Sequence, residues 1–231
     1  MPDLRFNSHP TNPFSTRYVR PGALPFFFRD GETAHSVVAR LRDQEWRGAI
    51  IGPHGSGKST LVAALVAELR AKGRRPLPYT FHDGVARLPG LTPRALGLDP
   101  AVVLIIDGYE QLSPWQKFRV RRSCRQAGCG LVVTAHSPTG LPELYRTNVT
   151  PKLAERVFAD LTDAQPALAT VSDLRACLAA RHANLREALF DLYDLHERRR
   201  RNAARESGRG IQQRLENDRK SGTHFPAIRL R

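Results

Sequence analysis

Cysteine, methionine and tryptophan are scarce in this chain of 231 residues, at three, one and two copies. The cysteines, Cys124, Cys129 and Cys177, are odd in number and show no C-x-x-C spacing, so neither a disulfide framework nor a zinc knuckle organises the fold. They read as reduced, mostly buried thiols. The longest purely apolar stretch, Ala101 to Ile106, is far too short to cross a bilayer, and no signal-peptide core stands at the N-terminus, which predicts a cytoplasmic protein. Acid is scarce as well. Lys and Arg number 36 against 22 Asp and Glu, a net charge of +14, and residues 111 to 142 contain no acidic residue. That balance suits acidic partners, nucleic acid or anionic lipid, and carries no information about fold. No internal repeat appears.

One stretch is rich where the rest is plain. Gly52-Pro53-His54-Gly55-Ser56-Gly57-Lys58-Ser59 follows the apolar run Ala49-Ile50-Ile51 and precedes a helical pattern through Leu61, Leu65 and Leu69. This is strand, G-x-x-x-x-G-K-[ST] loop, helix: the P-loop arrangement. Glycines let backbone N–H groups turn around a polyphosphate, and the following helix adds its positive end. In such a cradle Lys58 reaches the β- and γ-phosphates, and the Ser59 hydroxyl takes a place on Mg²⁺, a hard cation that prefers oxygen. Thr60, just beyond, is a less direct candidate. ATP and Mg²⁺ are the expected cofactors.

A second apolar run, Ala101 to Ile106, predicts a strand covered on both faces and delivers Asp107 to its carboxyl end, where open parallel sheets place their ligands. Asp107 is thus a second Mg²⁺ candidate. Glu110, three residues on, is placed to polarise a water attacking the γ-phosphate, or is plain surface. Gly130 to Ala135 predicts another buried strand ending at Thr134 and His136; Thr134 is the preferred candidate for a group beside the γ-phosphate. Pro76 to Phe81 is a poorer strand, and Asp83 to Pro100 a Pro- and Gly-rich connection with one helical turn at Pro93 to Leu96.

Helical patterning covers Glu32 to Arg42, and Ser113-Pro114 opens a basic helix holding Lys117, Arg119, Arg121, Arg122 and Arg125. Residues 115–125 present either a solvated face, a nucleic-acid contact or a charge lent to a neighbour's nucleotide. Past Pro142 the pattern turns from strands to helices: Leu153, Val157 and Leu161; Leu174 and Leu178; then Leu185, Ala188, Leu189 and Leu192. The last helix starts at Asn184, an N-cap with Glu187 three residues on, which leaves Arg186 in a first turn where acids are favoured. Phe26-Phe27-Phe28 packs into the core or forms a lip beside the nucleotide. Residues 197–231 hold eleven Arg and Lys against four Asp and Glu, half of the net charge, and read as a basic, disordered tail that starts near residue 201.

Together these residues resemble the additional-strand (ASCE) division of P-loop NTPases, and within it the AAA+ and STAND ATPases. Phe28-Arg29-Asp30-Gly31-Glu32 stands ahead of the P-loop as a phenylalanine, an arginine and an acidic helix start do there. Asp107-Gly108-Tyr109-Glu110-Gln111-Leu112 is similar to the Walker B of the NACHT branch, where a small residue follows the Asp and acids come later. Thr134 falls at a sensor position, and Asn184-Leu185-Arg186-Glu187 is similar to the sensor 2 segment, whose arginine approaches the γ-phosphate. The resemblance spans residues 26 to 195. It implies a three-layer α/β sandwich with a mainly parallel sheet: an extended segment at 1–25, the NTPase core at 26–150, a helical lid at 151–200 and the tail at 201–231. It also implies Mg²⁺-dependent ATP hydrolysis, a switch or motor acting on a partner or within a homo-oligomer, with Lys58, Glu110 and Arg186 in the reaction. A P-loop phosphotransferase using Arg119, Arg121 and Arg122 as a cationic lid, and a nucleic-acid-binding module with a regulatory ATP site, remain alternatives.

Overall fold

The structure is a computed structural model that describes residues 12–81, 92, 94, 96–163 and 167–220, with side chains through residue 206. Most of the connection expected at Asp83 to Pro100, the first eleven residues and the last eleven lie outside the described residues. Five strands form one all-parallel sheet: β1 (Arg47–Ile51), β2 (Arg75–Thr80), β3 (Val102–Asp107), β4 (Gly130–Ala135) and β5 (Glu143–Arg146), in the order β2-β3-β4-β1-β5. β4 therefore lies between the P-loop strand β1 and the Asp107 strand β3. That is the additional strand implied by the resemblance.

Among the described residues seven helices accompany the sheet: α1 (Thr16–Val19), α2 (Ala34–Asp43), α3 (Lys58–Ala71), α4 (Pro114–Ala127), α5 (Pro151–Asp163), α6 (Val171–Ala180) and α7 (Leu185–Lys220). Strand periodicity sorts the core into two layers. Ile50, Val103, Ile105 and Val132 face α2 and α3 among Val37, Leu41, Leu61, Leu65 and Leu69. Ala49, Ile51, Val102, Leu104, Ile106, Leu131 and Val133 face α4 among Val120 and Cys124. Burial on both faces is why the central strands read as unbroken apolar runs rather than alternating ones.

β2 contains Pro76 and Pro78 and is still a strand, because it is the sheet's edge. Arg75 N–H donates to Ala101 O at 2.9 Å and Phe81 N–H to Asp107 O at 2.8 Å, so positions 76 and 78 face away from β3 and lose no ladder bond to their rings.

The structure corrects the sequence reading in two places. Strands do not stop at Pro142, since β5 adds Leu144 and Tyr145 to the core beside β1. Four residues are too few to set an alternating pattern apart from a loop. Nor does helix end near residue 201: α7 continues to Lys220, so the first 20 residues of the segment read as a disordered tail are helical. Low hydrophobicity argued against packing there, but helix that propagates from an anchored stretch needs neither a new nucleus nor a core.

The third core cluster is helical and gathers Ala154, Val157, Phe158 and Leu161 of α5, Leu174 and Leu178 of α6, and Ala188, Leu189 and Leu192 of α7. Phe14 is fully buried in it, its ring 5.6 Å from that of Phe158. Asn12 fastens the N-terminal segment further, donating to Tyr193 O and Glu197 Oε1, both at 3.0 Å. Arg199 clamps α7 to the start of α6 through two bonds to Asp173, which hold that carboxyl down to about 2. Among the described residues no helix is long and apolar enough to cross a membrane.

Candidate nucleotide site

Parallel register brings the carboxyl ends of three strands to one edge. Ile51 of β1 pairs with Ala135 of β4, and Val133 of β4 with Ile106 of β3, so Gly52, Asp107 and His136 emerge side by side. Between them runs the P-loop. Gly55 (φ 67°) and Gly57 (φ 88°) adopt left-handed backbone that other residues resist, and α3 starts directly after, at Lys58. Ser56 braces the loop, its hydroxyl 2.8 Å from Pro53 O and 2.6 Å from Thr147 Oγ1 on the segment after β5.

Lys58 is almost wholly buried, with Nζ donating to Gly52 O and Pro53 O at 2.7 Å each. Burial pushes its ammonium below the ordinary lysine value; Glu110 and Asp107 pull it back up, and Arg186 pushes it further down. That last influence places Arg186 of α7 within electrostatic reach of the P-loop lysine. The two cations are close enough to repel each other, and Glu110 and Asp107 offset that repulsion at Lys58.

Thr134 and His136 make different contacts at the end of β4. Thr134 is fully buried; its hydroxyl donates to Asp107 Oδ1 at 2.6 Å and accepts from Gly108 N–H at 2.9 Å. It holds one oxygen of Asp107 and so orients the other. His136 is the group that enters the site, with Nδ1 3.3 Å from Lys58 Nζ and 3.1 Å from Gly52 O, and Nε2 2.9 Å from Glu110 Oε1. The Glu110 contact has the distance of an ion pair without the alignment of a hydrogen bond. A proton on Nε2 leaves Nδ1 to accept from Lys58; a proton on Nδ1 lets it donate to Gly52 O instead. His54, exposed in the P-loop, lays its ring 3.7 Å from that of His136. The missed signal was the alternation of β4. Position 134 pairs with the core residue Ile50, and the first residue past the strand is the first free to turn toward the P-loop lysine.

Gly108 explains why the carboxylate comes three residues after Asp107 and not directly after it. Its φ is 91°, and a Cβ there would lie 2.7 Å from Phe81 O, just past the end of β2, so no side chain fits. The left-handed turn leads into a 3-10 turn, Tyr109–Gln111, which presents Glu110 to His136 while Tyr109 is buried beneath.

Two other segments lie against the P-loop glycines. Asn184 caps α7, its Oδ1 accepting from Glu187 N–H at 3.3 Å, and the same oxygen lies against Gly55. Phe26 joins the core with Phe28 and Tyr145, as one reading of the Phe triplet expects, and its ring also lies beside Gly57 of the P-loop. Phe27 packs with the helical cluster instead. A cleft of about 580 Å³ opens beside the loop, lined by Arg29, Pro53, His54, His136, Arg146 and Asn148 among others. Ser59 and Thr60 stand in the first turn of α3, half-buried.

These donors fit a magnesium nucleotide: hard oxygens at Ser59 and Asp107, one lysine in a loop that crosses left-handed glycine twice, and a helix N-terminus behind it. No protein-family model matches the sequence, and no curated protein matches it. Among solved structures, the crystal structure of Cdc6p from Pyrobaculum aerophilum is similar, with a TM-score of 0.58 and 15% sequence identity over 83% of this chain and 66% of that one. The chain thus spans just under two thirds of that protein's length. The likeness is one of fold: a five-stranded, all-parallel P-loop NTPase sheet with helices after it.

Proposed function

We propose that this chain binds ATP with Mg²⁺ at the P-loop and hydrolyses it, using α7 as a lid whose seating responds to the nucleotide. The observation that carries this reading is the convergence on His136: one imidazole lies 3.3 Å from the P-loop lysine and 2.9 Å from the Glu110 carboxylate. The carboxylate and the phosphate-seeking cation are thus about one ring apart. Lys58 exchanges its bonds to Gly52 O and Pro53 O for phosphate oxygens. Ser59 and Asp107 hold the metal, and Thr134 keeps Asp107 in orientation. When bound, Mg²⁺ neutralises charge on the phosphates. Glu110 orients water and accepts its proton, His136 positions Glu110, and Arg186 meets the γ-phosphate from the lid. A small residue after Asp107, with the acid at 110, supports the NACHT-like variant of this chemistry over the one with an acid at 108.

The test is ATP turnover and Mg²⁺-ATP binding by titration calorimetry, wild type against Lys58→Ala. The reading expects turnover in the wild type and binding weakened at least about 100-fold in the variant, about 2.7 kcal/mol or more. Equal affinities would remove Lys58 from the site.

A further inference from the structure

On α4 the exposed residues form a pattern that the nucleotide site does not use. Trp115 and Phe118 are each 62% exposed, the most exposed large apolar side chains among the described residues. At 3.6 residues per turn, positions 115, 118, 119, 122 and 125 fall within about 120° of arc. Val120, Ser123 and Cys124 occupy the buried face. The stripe therefore reads Trp, Phe, Arg, Arg, Arg.

The helix's other two cations are turned away from it. Lys117 lies over the Tyr109 ring, and Arg121 donates to Tyr109 Oη at 3.0 Å and to Thr139 O. Arg119 instead lies over Trp115, 5.2 Å from its ring, while Arg122 and Arg125 are exposed. No acid occurs from residue 111 to residue 142.

We propose that this face of α4 binds single-stranded nucleic acid, with unpaired bases stacking on Trp115 and Phe118 and phosphates meeting Arg119, Arg122 and Arg125. Charge complementarity selects the occupant. An acid-free row of three guanidiniums suits a polyanion, and two exposed rings one helical turn apart suit a polyanion whose bases are unstacked. A duplex hides its base faces, so it meets only the arginines. A protein partner would use the same aromatics but needs an acidic surface to face the cations. The proposal does not rest on ATP binding.

The experiment uses the full chain without nucleotide. Fluorescence anisotropy measures a labelled oligo-dT and a duplex of equal length, at several salt concentrations, with wild type, Trp115→Ala, Trp115→Phe and Phe118→Ala. Each ring is mainly solvent-exposed, so these changes open no core, and melting curves verify that. The expected result is single-strand affinity reduced about tenfold in Trp115→Ala and in Phe118→Ala, with duplex affinity within about twofold of wild type. Trp115→Phe keeps the affinity but loses the quenching of tryptophan fluorescence that oligo-dT produces in the wild type. Equal losses on strand and duplex, or no loss on either, overturn the stacking surface. Absence of nucleic-acid binding, together with self-association that Trp115→Ala and Phe118→Ala abolish, overturns it in favour of a contact between copies. ATP turnover in the same preparations reports separately on the nucleotide site.

Discussion

Asn184 Oδ1 occupies the space that a Cβ on Gly55 would need: the two would be 1.8 Å apart. The P-loop and the lid helix are fitted to each other at this point, for the atom that caps α7 lies against the loop's central glycine, and Arg186 N is 3.1 Å from the same position.

Gly55→Ala should therefore unseat the start of α7. Backbone strain alone accounts for about 1–2 kcal/mol, because alanine at φ 67° is left-handed. Gly73→Ala supplies the control: Gly73 has φ 71°, but a Cβ there meets nothing within 4 Å. The Gly55 variant should show faster limited proteolysis around residues 181–186 and weaker ATP affinity, while the Gly73 variant shows only the stability loss. Identical behaviour of the two would mean that the lid contact is passive.

Thr134→Val conserves shape and removes two hydrogen bonds. Valine leaves the Gly108 N–H without its acceptor and Asp107 Oδ1 without its donor, in a position with no solvent access. A loss of about 1–3 kcal/mol in stability follows from stranding one buried group. Because Asp107 also loses its orientation, the Mg²⁺ concentration needed for half-maximal turnover should rise. Denaturant melts and a Mg²⁺ titration check the two parts independently, and an unchanged Mg²⁺ requirement would make Thr134 structural only.

How much of this was legible in the sequence differs from part to part, for physical reasons. The P-loop and Asp107 were readable because each is fixed by a local rule: glycine at left-handed positions, and an acid at the end of a doubly covered strand. That Thr134 is bonded to Asp107 while His136 stands beside Lys58 was not legible, because it depends on which of them pairs with Ile50, a relation between strands 84 residues apart. The gap between Asp107 and Glu110 depends on Phe81 O, which closes position 108 to side chains from just past a strand that sequence alone cannot lay beside it. β2 looked weak because of Pro76 and Pro78, although the same prolines are harmless once the strand is known to be an edge. The length of α7 was hidden because the sequence of its far half carries no apolar pattern, and periodicity is blind to a helix without one.

Glu110 is where hydrolysis and phosphoryl transfer to another acceptor part. Water is a weak nucleophile that must be oriented and relieved of a proton, so a carboxylate near the γ-phosphate matters to turnover and little to ground-state binding. Glu110→Gln keeps the shape beside His136 and removes the base. ATP affinity should stay within about threefold of wild type, since the lysine, the loop amides and the metal ligands are untouched, while turnover falls about 10²- to 10⁴-fold. Asp107→Asn, by contrast, should weaken Mg²⁺-ATP binding and turnover together. His136 acts through Glu110, from which it stands 2.9 Å away, so His136→Ala should slow the wild type but add little in the Glu110→Gln background. Single-turnover kinetics on the two single variants and the double variant measure that coupling. Full additivity would show His136 meeting the nucleotide by itself. Wild-type hydrolysis by Glu110→Gln would remove the carboxylate from the reaction, and loss of transfer to an added acceptor would point to a phosphotransferase. A slow but tightly binding Glu110→Gln protein is the outcome that the proposed roles predict, because they assign phosphate to Lys58 and the preparation of water to Glu110.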